Sequence, residues 1–300
     1  MGSANIKRFG VIGAGQMGRG IAQVAAACGF DVVLSDAQAR FADAGKAQIA
    51  TVLSKQVEKG KLTAQARDEL LARIVPSEGA AHFESVDLAI EAITENLDTK
   101  IKVFQDADAR LPKHAILASN TSSISITRLA AATSRPEHVI GMHFMNPVPL
   151  MKLVEIVRGV QTSNETYDVV RDLAERLGKT VITSKDRPGF IVNRMLIPFL
   201  NEACFSLEEG LGTPEDIDAG AKLGLNHPMG PLELADLVGL DTCLFIAEVL
   251  HREFGDDKYR PAPILRNLVA AGWLGRKTSR GFYMYNDKAE RTGRAIGAFT

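Results

Sequence analysis

The segment that most constrains this chain is Gly13-Ala14-Gly15-Gln16-Met17-Gly18. It follows a short apolar run, residues 8–12, and opens a stretch rich in Ala, Ile and Val, residues 16–28. Glycines at these three positions between a strand and a helix serve three needs. Gly13 permits the tight turn, Gly15 lets backbone approach a pyrophosphate, and Gly18 lets the helix pack closely on the strand. Gln16 and Met17 begin the helix, where free N–H groups and positive potential favour phosphate. Gly29 ends that helix, and residues 31–36 read as the next strand, closed by Asp36. A carboxylate there accepts hydrogen bonds from adenosine ribose hydroxyls and repels a 2′-phosphate. The βαβ unit therefore predicts a site for NAD rather than NADP.

The rest of the pattern extends this unit into a fold. Residues 38–74 read as a helical excursion turning at Gly60, an inserted helical hairpin. Residues 86–92, 115–119 and 139–143 read as strands, with helices such as 97–111 between them. Residues 152–157 and 180–184 add two strands around a helix near 165–177. This alternation predicts an α/β, Rossmann-type doubly wound, mainly parallel sheet. Composition changes at Lys185-Asp186-Arg187-Pro188-Gly189, and helical periodicity dominates beyond it, over residues 191–210, 213–223, 231–252 and 264–271. Thr213-Pro214-Glu215-Asp216 and Gly230-Pro231 carry helix-start signals. The expected organisation is an NAD-binding domain over residues 1–186 and an all-α C-terminal domain over residues 187–300, its polar tail from about residue 287 loosely ordered.

A length of 300 residues suits two domains. A formal net charge of −1 offers no global attraction for nucleic acid or an anionic membrane, so neither is an expected partner. No apolar run is long enough to span a bilayer. The three cysteines, Cys28, Cys204 and Cys243, are widely spaced and form no C-x-x-C. They indicate neither a zinc site nor a disulfide framework, and read as small buried hydrophobes of a cytoplasmic protein.

A second chemical segment is His143-Phe144-Met145-Asn146-Pro147-Val148-Pro149, with Glu155 beyond it. His143 ends a predicted strand, the edge at which open α/β sheets hold ligands. Alcohol oxidation needs a base to take the hydroxyl proton as hydride leaves, and histidine suits that task. Glu155 is the candidate to hold the other ring nitrogen, with the prolines folding the chain back towards His143. Ser119-Asn120-Thr121-Ser122-Ser123 follows another strand at the same edge, and reads equally as a polar turn, a helix cap or part of a site. Asn193, read alone, is a helix cap or an exposed residue. Lys55, Lys59 and Lys61 read as a solvated helix face unless the substrate carries phosphate.

Together these segments identify the chain as a member of the L-3-hydroxyacyl-CoA dehydrogenases, and among them it most resembles the short-chain bacterial 3-hydroxybutyryl-CoA enzymes. The resemblance is carried by the glycine fingerprint, Glu91-Ala92-Ile93-Thr94-Glu95-Asn96, Ser119–Ser123, His143–Pro149, Asp186–Arg194 and Asn226–Asp241. It implies that His143 is general base and acid, supported by Glu155. It implies that Ser122 and Asn193 hold the reacting oxygen and the thioester end. Glu95, Lys100, Asn120 and Asn146 would line or orient the cofactor region, and Lys59 would approach the CoA phosphates. The C-terminal helices would carry a homodimer interface, and no metal would take part. The family's usual glycine before Gly281-Phe282-Tyr283 is replaced by Ser279, which bears on the local loop and not on the chemistry. The nearest rival is a dehydrogenase of a free hydroxy acid on the same scaffold.

Overall fold

The computed structural model describes residues 6–295. The chain forms two compact units, the first ending at Arg187 and the second beginning at Pro188.

The first unit is built on eight strands in the order β3-β2-β1-β4-β5-β6-β7-β8. They are β1 (Arg8–Ile12), β2 (Asp31–Asp36), β3 (Ile74–Glu78), β4 (Leu88–Glu91), β5 (Ile116–Ser119), β6 (Val139–Phe144), β7 (Leu153–Arg158) and β8 (Thr180–Lys185). All neighbours pair in parallel except β6 and β7. Helices α1 (Gln16–Ala27), α2 (Ala39–Glu58), α3 (Ala64–Ala72), α4 (Leu97–Arg110), α5 (Ile126–Ala130) and α6 (Asn164–Arg176) connect them. The strand order reverses at β1 and β4, so the loops after those two strands flank the crevice in which such sheets bind ligands.

Helix α1 shows how the sequence places this crevice. Gly18, Ile21, Ala22, Ala25 and Ala26 recur on one face and are buried, which lays the helix on the sheet. Gly29 follows its C-cap at φ +90°, the conformation glycine supplies at a helix end.

The second unit contains α7 (Val192–Glu208), α8 (Pro214–Ala219), α9 (Pro231–Val238), α10 (Leu240–Phe254) and α11 (Pro263–Ala270), followed by an antiparallel pair, β9 (Tyr283–Tyr285) and β10 (Arg291–Arg294). Thr213 and Asp216 form a capping box on α8. Two buried carboxylates tie the hairpin to the helices. Asp218 accepts from the N–H groups of Leu232 and Glu233 and from the Tyr283 hydroxyl. Asp236 accepts from the N–H groups of Phe282 and Tyr283 and from the Tyr285 hydroxyl. Burial raises both carboxyls above the usual range, Asp236 to about 6.

Several local expectations change. The segment after α3 is a strand, β3, rather than the end of a helix. Pro76 is tolerated there because β3 lies at the sheet edge. The helix expected over residues 231–252 is two helices, because Gly239 at φ +103° separates them. The helical second unit also carries the β9–β10 hairpin, so the tail is ordered beyond residue 287; residues 296–300 lie outside the described part. Cys204 and Cys243 are buried, but Cys28 is exposed just past the end of α1.

Candidate active site

The glycine loop is shaped by close backbone approaches. Gly13 has φ +103°, and a Cβ there would lie 2.7 Å from the Ala92 carbonyl oxygen. A Cβ on Gly18 would fall 1.7 Å from the Gly13 carbonyl oxygen. Gly15 differs, because a Cβ on it would meet nothing within 4 Å. The fold itself does not demand glycine there; the missing side chain leaves a cradle at the helix start. No side chain caps α1 and no acidic residue lies in its first turn, whereas side-chain oxygens cap α3, α4, α5 and α6. The donors and positive end of α1 thus suit a pyrophosphate. Met17 packs on the core, so only its backbone belongs to the phosphate end.

Asp36 stands at the end of β2 and holds the loop from the side. Its Oδ2 accepts from Ala14 N at 2.7 Å and its Oδ1 from Ala37 N at 2.8 Å. A carboxylate has further lone pairs for ribose hydroxyls. The donor set, the cradle and this acid fit NAD.

His143 and Glu155 face each other across the antiparallel β6–β7 pair, as direct register partners. His143 Nδ1 lies 3.1 Å from Glu155 Oε2, and both side chains are buried. The fold-back across the prolines is therefore a strand turn, and its Asn146–Pro147 bond is cis. Gln16 Nε2 donates to Asn146 Oδ1 at 3.1 Å, and a Cβ on Gly20 would lie 2.7 Å from Val148 Cβ. Both contacts bring the start of α1 against the segment that follows His143. Lys179 secures the same turn by donating to the carbonyls of Val148 and Met151.

The ends of β4, β5 and β6 are bound together. Asn120 N donates to the Glu91 carbonyl, and Asn120 Oδ1 accepts from Phe144 N at 2.9 Å. Asn120 thus braces the strand that carries His143. Glu95 accepts from Thr121 Oγ1 at 2.8 Å and from Ser122 N at 2.9 Å, with Ser122 Oγ at 3.4 Å. The polar stretch is a turn in which Glu95 holds Thr121 and Ser122, and the cap of α5 falls to Ser125. Asp186 reinforces that cap by accepting from Ser125 Oγ and from Ile126 N and Thr127 N.

Three expected residues sit differently from the rest. Lys100, expected to line the cofactor region, is buried, and its ammonium lies 2.5 Å from Glu91 Oε1. Its reach is spent behind the loop and not on an open surface. Lys59 is exposed at the C-cap of α2. That helix packs on β2 and β3. Gln56, one turn before Lys59, lines a pocket with Pro149, Leu150 and Met151, in the segment that follows His143. Asn193 lies in the first turn of α7, in the second unit, and is buried. Ile191 occupies the N-cap, so Asn193 is neither cap nor exposed.

Sequence reasoning gave Glu91 no role, although the signal was present: a carboxylate ends the apolar run Leu88-Ala89-Ile90, and a buried acid implies a partner. Among the described residues no group of three or more His, Cys, Asp or Glu could hold a metal ion, and no helix is long and apolar enough to cross a membrane.

The family model described as 3-hydroxyacyl-CoA dehydrogenase, NAD binding domain, matches residues 8–187, and that of the family's C-terminal domain matches residues 189–285. The chain belongs to the 3-hydroxyacyl-CoA dehydrogenase family. As a member of that family it is an NAD-dependent oxidoreductase. It is 56% identical to the 3-hydroxybutyryl-CoA dehydrogenase of Bradyrhizobium diazoefficiens, over 94% of this chain and 97% of the relative. It is 53% identical to a probable 3-hydroxybutyryl-CoA dehydrogenase of Bacillus subtilis, over 94% of this chain and 99% of the relative. The solved (S)-3-hydroxybutyryl-CoA dehydrogenase of Ralstonia eutropha superposes with a TM-score of 0.91 at 52% identity, covering 94% of this chain and all of the other.

Proposed function

We propose that this dehydrogenase interconverts a short-chain (3S)-3-hydroxyacyl-CoA, 3-hydroxybutyryl-CoA, with its 3-oxoacyl-CoA. The observation that carries this reading is the His143–Glu155 pair at 3.1 Å on neighbouring strands, in a segment braced against the cofactor-binding helix. Identities of 53–56% to relatives named for that substrate support the chain length. NAD, when bound, supplies the acceptor for the hydride that leaves substrate C3.

The chain's own residues handle the proton. The Glu155 carboxylate accepts from Nδ1–H of His143, which leaves the lone pair of the neutral ring on Nε2. Nε2 takes the C3 hydroxyl proton in oxidation and returns it in reduction. As the ring becomes cationic, the buried Glu155 stabilises it electrostatically. Ser122 and Asn193 are assigned to the reacting oxygen and the thioester end. Glu95 and Asn146 are assigned to the cofactor region, and Asp36 to the adenosine ribose. Lys59 is assigned to the CoA phosphates, which a substrate as long as acyl-CoA carries far from its reacting carbon.

The second unit exposes Leu211, Leu223 and Leu225 at 80%, 87% and 63%. Exposed leucines of this kind favour burial between copies, and we assign the homodimer interface to this unit. Residues 1–186 are assigned to NAD binding and residues 187–300 to closure of the substrate cleft and to the dimer. Three free thiols among the described residues favour a reducing, cytoplasmic setting.

The test is loss of NADH absorbance with acetoacetyl-CoA, run beside NADPH and beside free acetoacetate. Rapid oxidation of NADH that needs the CoA thioester is expected. Equal turnover of free acetoacetate would overturn the acyl-CoA assignment in favour of a hydroxy-acid substrate.

A further inference from the structure

We propose that Glu91, Lys100, Ser119 and Thr121 form a buried relay that positions Glu95 and Ser122 from behind. The inference rests on the site reading above and adds to it residues that stand behind Glu95 and Ser122.

The relay begins with an ion pair out of contact with solvent. Glu91 and Lys100 are both 0% exposed, and their charged atoms lie 2.5 Å apart. A buried pair of this kind is a weak source of stability, because desolvation offsets its attraction. Its value lies in what each carboxylate oxygen also holds. Glu91 Oε1 accepts from Ile93 N at 2.7 Å and so fixes the first turn of the loop that leads to Glu95. Glu91 Oε2 accepts from Ser119 Oγ at 2.7 Å. Ser119 Oγ in turn accepts from Thr121 N at 3.1 Å.

Thr121 is the branch point. Its hydroxyl donates to Glu95 Oε2 at 2.8 Å and accepts from Ser123 N and Ile124 N at 3.2 and 2.9 Å. Glu95 uses its other oxygen for Ser122. One continuous chain therefore runs Lys100, Glu91, Ser119, Thr121, Glu95, Ser122. It ties the loop after β4, at the reversal of strand order, to the loop after β5. Lys100 stands on the first turn of α4, so the chain also anchors both loops to that helix. Within a dry interior each bond polarises the next, and a fully connected network holds one geometry. Ser119 and Thr121 contribute single hydroxyls whose removal leaves the ion pair in place.

The test uses the full-length enzyme with Ser119→Ala, Thr121→Val and the conservative Thr121→Ser. For each variant, kcat and KM with NADH and acetoacetyl-CoA, the NADH Kd by fluorescence and the Tm are measured. Ser119→Ala and Thr121→Val are expected to lower kcat about ten- to a hundredfold, the scale on which misplacement acts, and to raise the NADH Kd. Thr121→Ser is expected to keep most of the activity. A merely structural role would lower Tm and leave turnover unchanged, because a protein of ordinary stability stays folded at 25 °C after losing one hydrogen bond. Wild-type kcat and NADH Kd in both Ser119→Ala and Thr121→Val would overturn the relay, and Ser119→Ala alone decides if Thr121→Val does not fold. If the wild-type enzyme binds NADH but does not oxidise it against acetoacetyl-CoA, the proposed substrate fails. The relay is then judged on NADH Kd alone, an unchanged value overturning it and a raised value sustaining it.

Discussion

His143 and Glu155 are register partners on adjacent antiparallel strands, with Nδ1 and Oε2 3.1 Å apart in a buried environment. Strand pairing, and not a flexible loop, sets the distance between the proposed base and its supporting carboxylate. Replacing Glu155 by Gln keeps the size of the side chain and removes the charge that would stabilise the protonated ring. We expect kcat to fall about 10²- to 10⁴-fold, with NADH affinity nearly intact. His143→Gln should lose at least as much. Turnover close to wild type in either variant would remove that residue from the mechanism.

The three fingerprint glycines should respond differently to alanine. At Gly18 the new methyl would meet the Gly13 carbonyl at 1.7 Å, so the loop must shift, and both Tm and NADH affinity should drop. At Gly15 the methyl would meet no protein atom within 4 Å. Gly15→Ala should therefore change Tm by no more than about 2 °C, the scale of a few tenths of a kcal/mol, while weakening NADH binding at least tenfold. Thermal melts and fluorescence titration separate the two effects, and tight NADH binding by Gly15→Ala would remove the pyrophosphate from that cradle.

Asp36 holds the Ala14 N–H at 2.7 Å, so it has a second task besides the ribose. Asp36→Ala removes the repulsion of a 2′-phosphate and also releases the glycine loop. The gap between NADH and NADPH should narrow mainly because NADH binding weakens, by about 1–3 kcal/mol for a lost charged hydrogen-bond partner. Measured Kd values for both cofactors check this. An unchanged preference would take Asp36 out of cofactor selection.

Asp236 links proton binding to the stability of the second unit. Burial raises its carboxyl from 3.8 to about 6 in the folded chain. Between those values the folded state binds the proton more tightly than the unfolded state. Its contribution to stability is therefore full below about pH 4 and lost as pH rises through 6. Asp236→Asn lacks this linkage. Its amide oxygen can still accept from Phe282 N, but its NH2 would then face the Tyr283 N–H and the Tyr285 hydroxyl, so the variant should be less stable than wild type. The stability gap should narrow by an amount on the order of 2 kcal/mol between pH 4 and 7. Denaturant melts of both proteins across that range give the slope, and a gap that is flat with pH would refute the linkage.

What could be read from the sequence was local chemistry with strict geometric needs. The glycine fingerprint, Asp36 and the strand bearing His143 each carry their requirement within a few residues. The His143–Glu155 contact was legible because only a turn separates the two strands. The Lys100–Glu91 ion pair was not legible because its partners are separated by a strand end, a loop and a helix start, and only the folded chain shows the ammonium turned inward. Strand β3 was hidden by Pro76, which propensity disfavours and an edge position tolerates. The β9–β10 hairpin was missed because its strands are only three and four residues long and β9 is held by Asp218 and Asp236 from distant helices. Cys28 looked like a core residue by type, and the exposed end of α1 decided otherwise.

The β6–β7 register has a practical consequence for redesign. Side chains alternate between faces along a strand, so a slip of one residue would send Glu155 to the opposite face and leave His143 without its carboxylate. The connection over residues 145–152 lies outside the two strands. Its exposed side chains can be exchanged while the ladder keeps the acid and the imidazole in place, provided Asn146 and Val148 keep their contacts with α1. Libraries aimed at new substrates can vary its exposed positions Pro149, Leu150 and Lys152, whereas any insertion inside Val139–Phe144 or Leu153–Arg158 would shift the register and disable the pair.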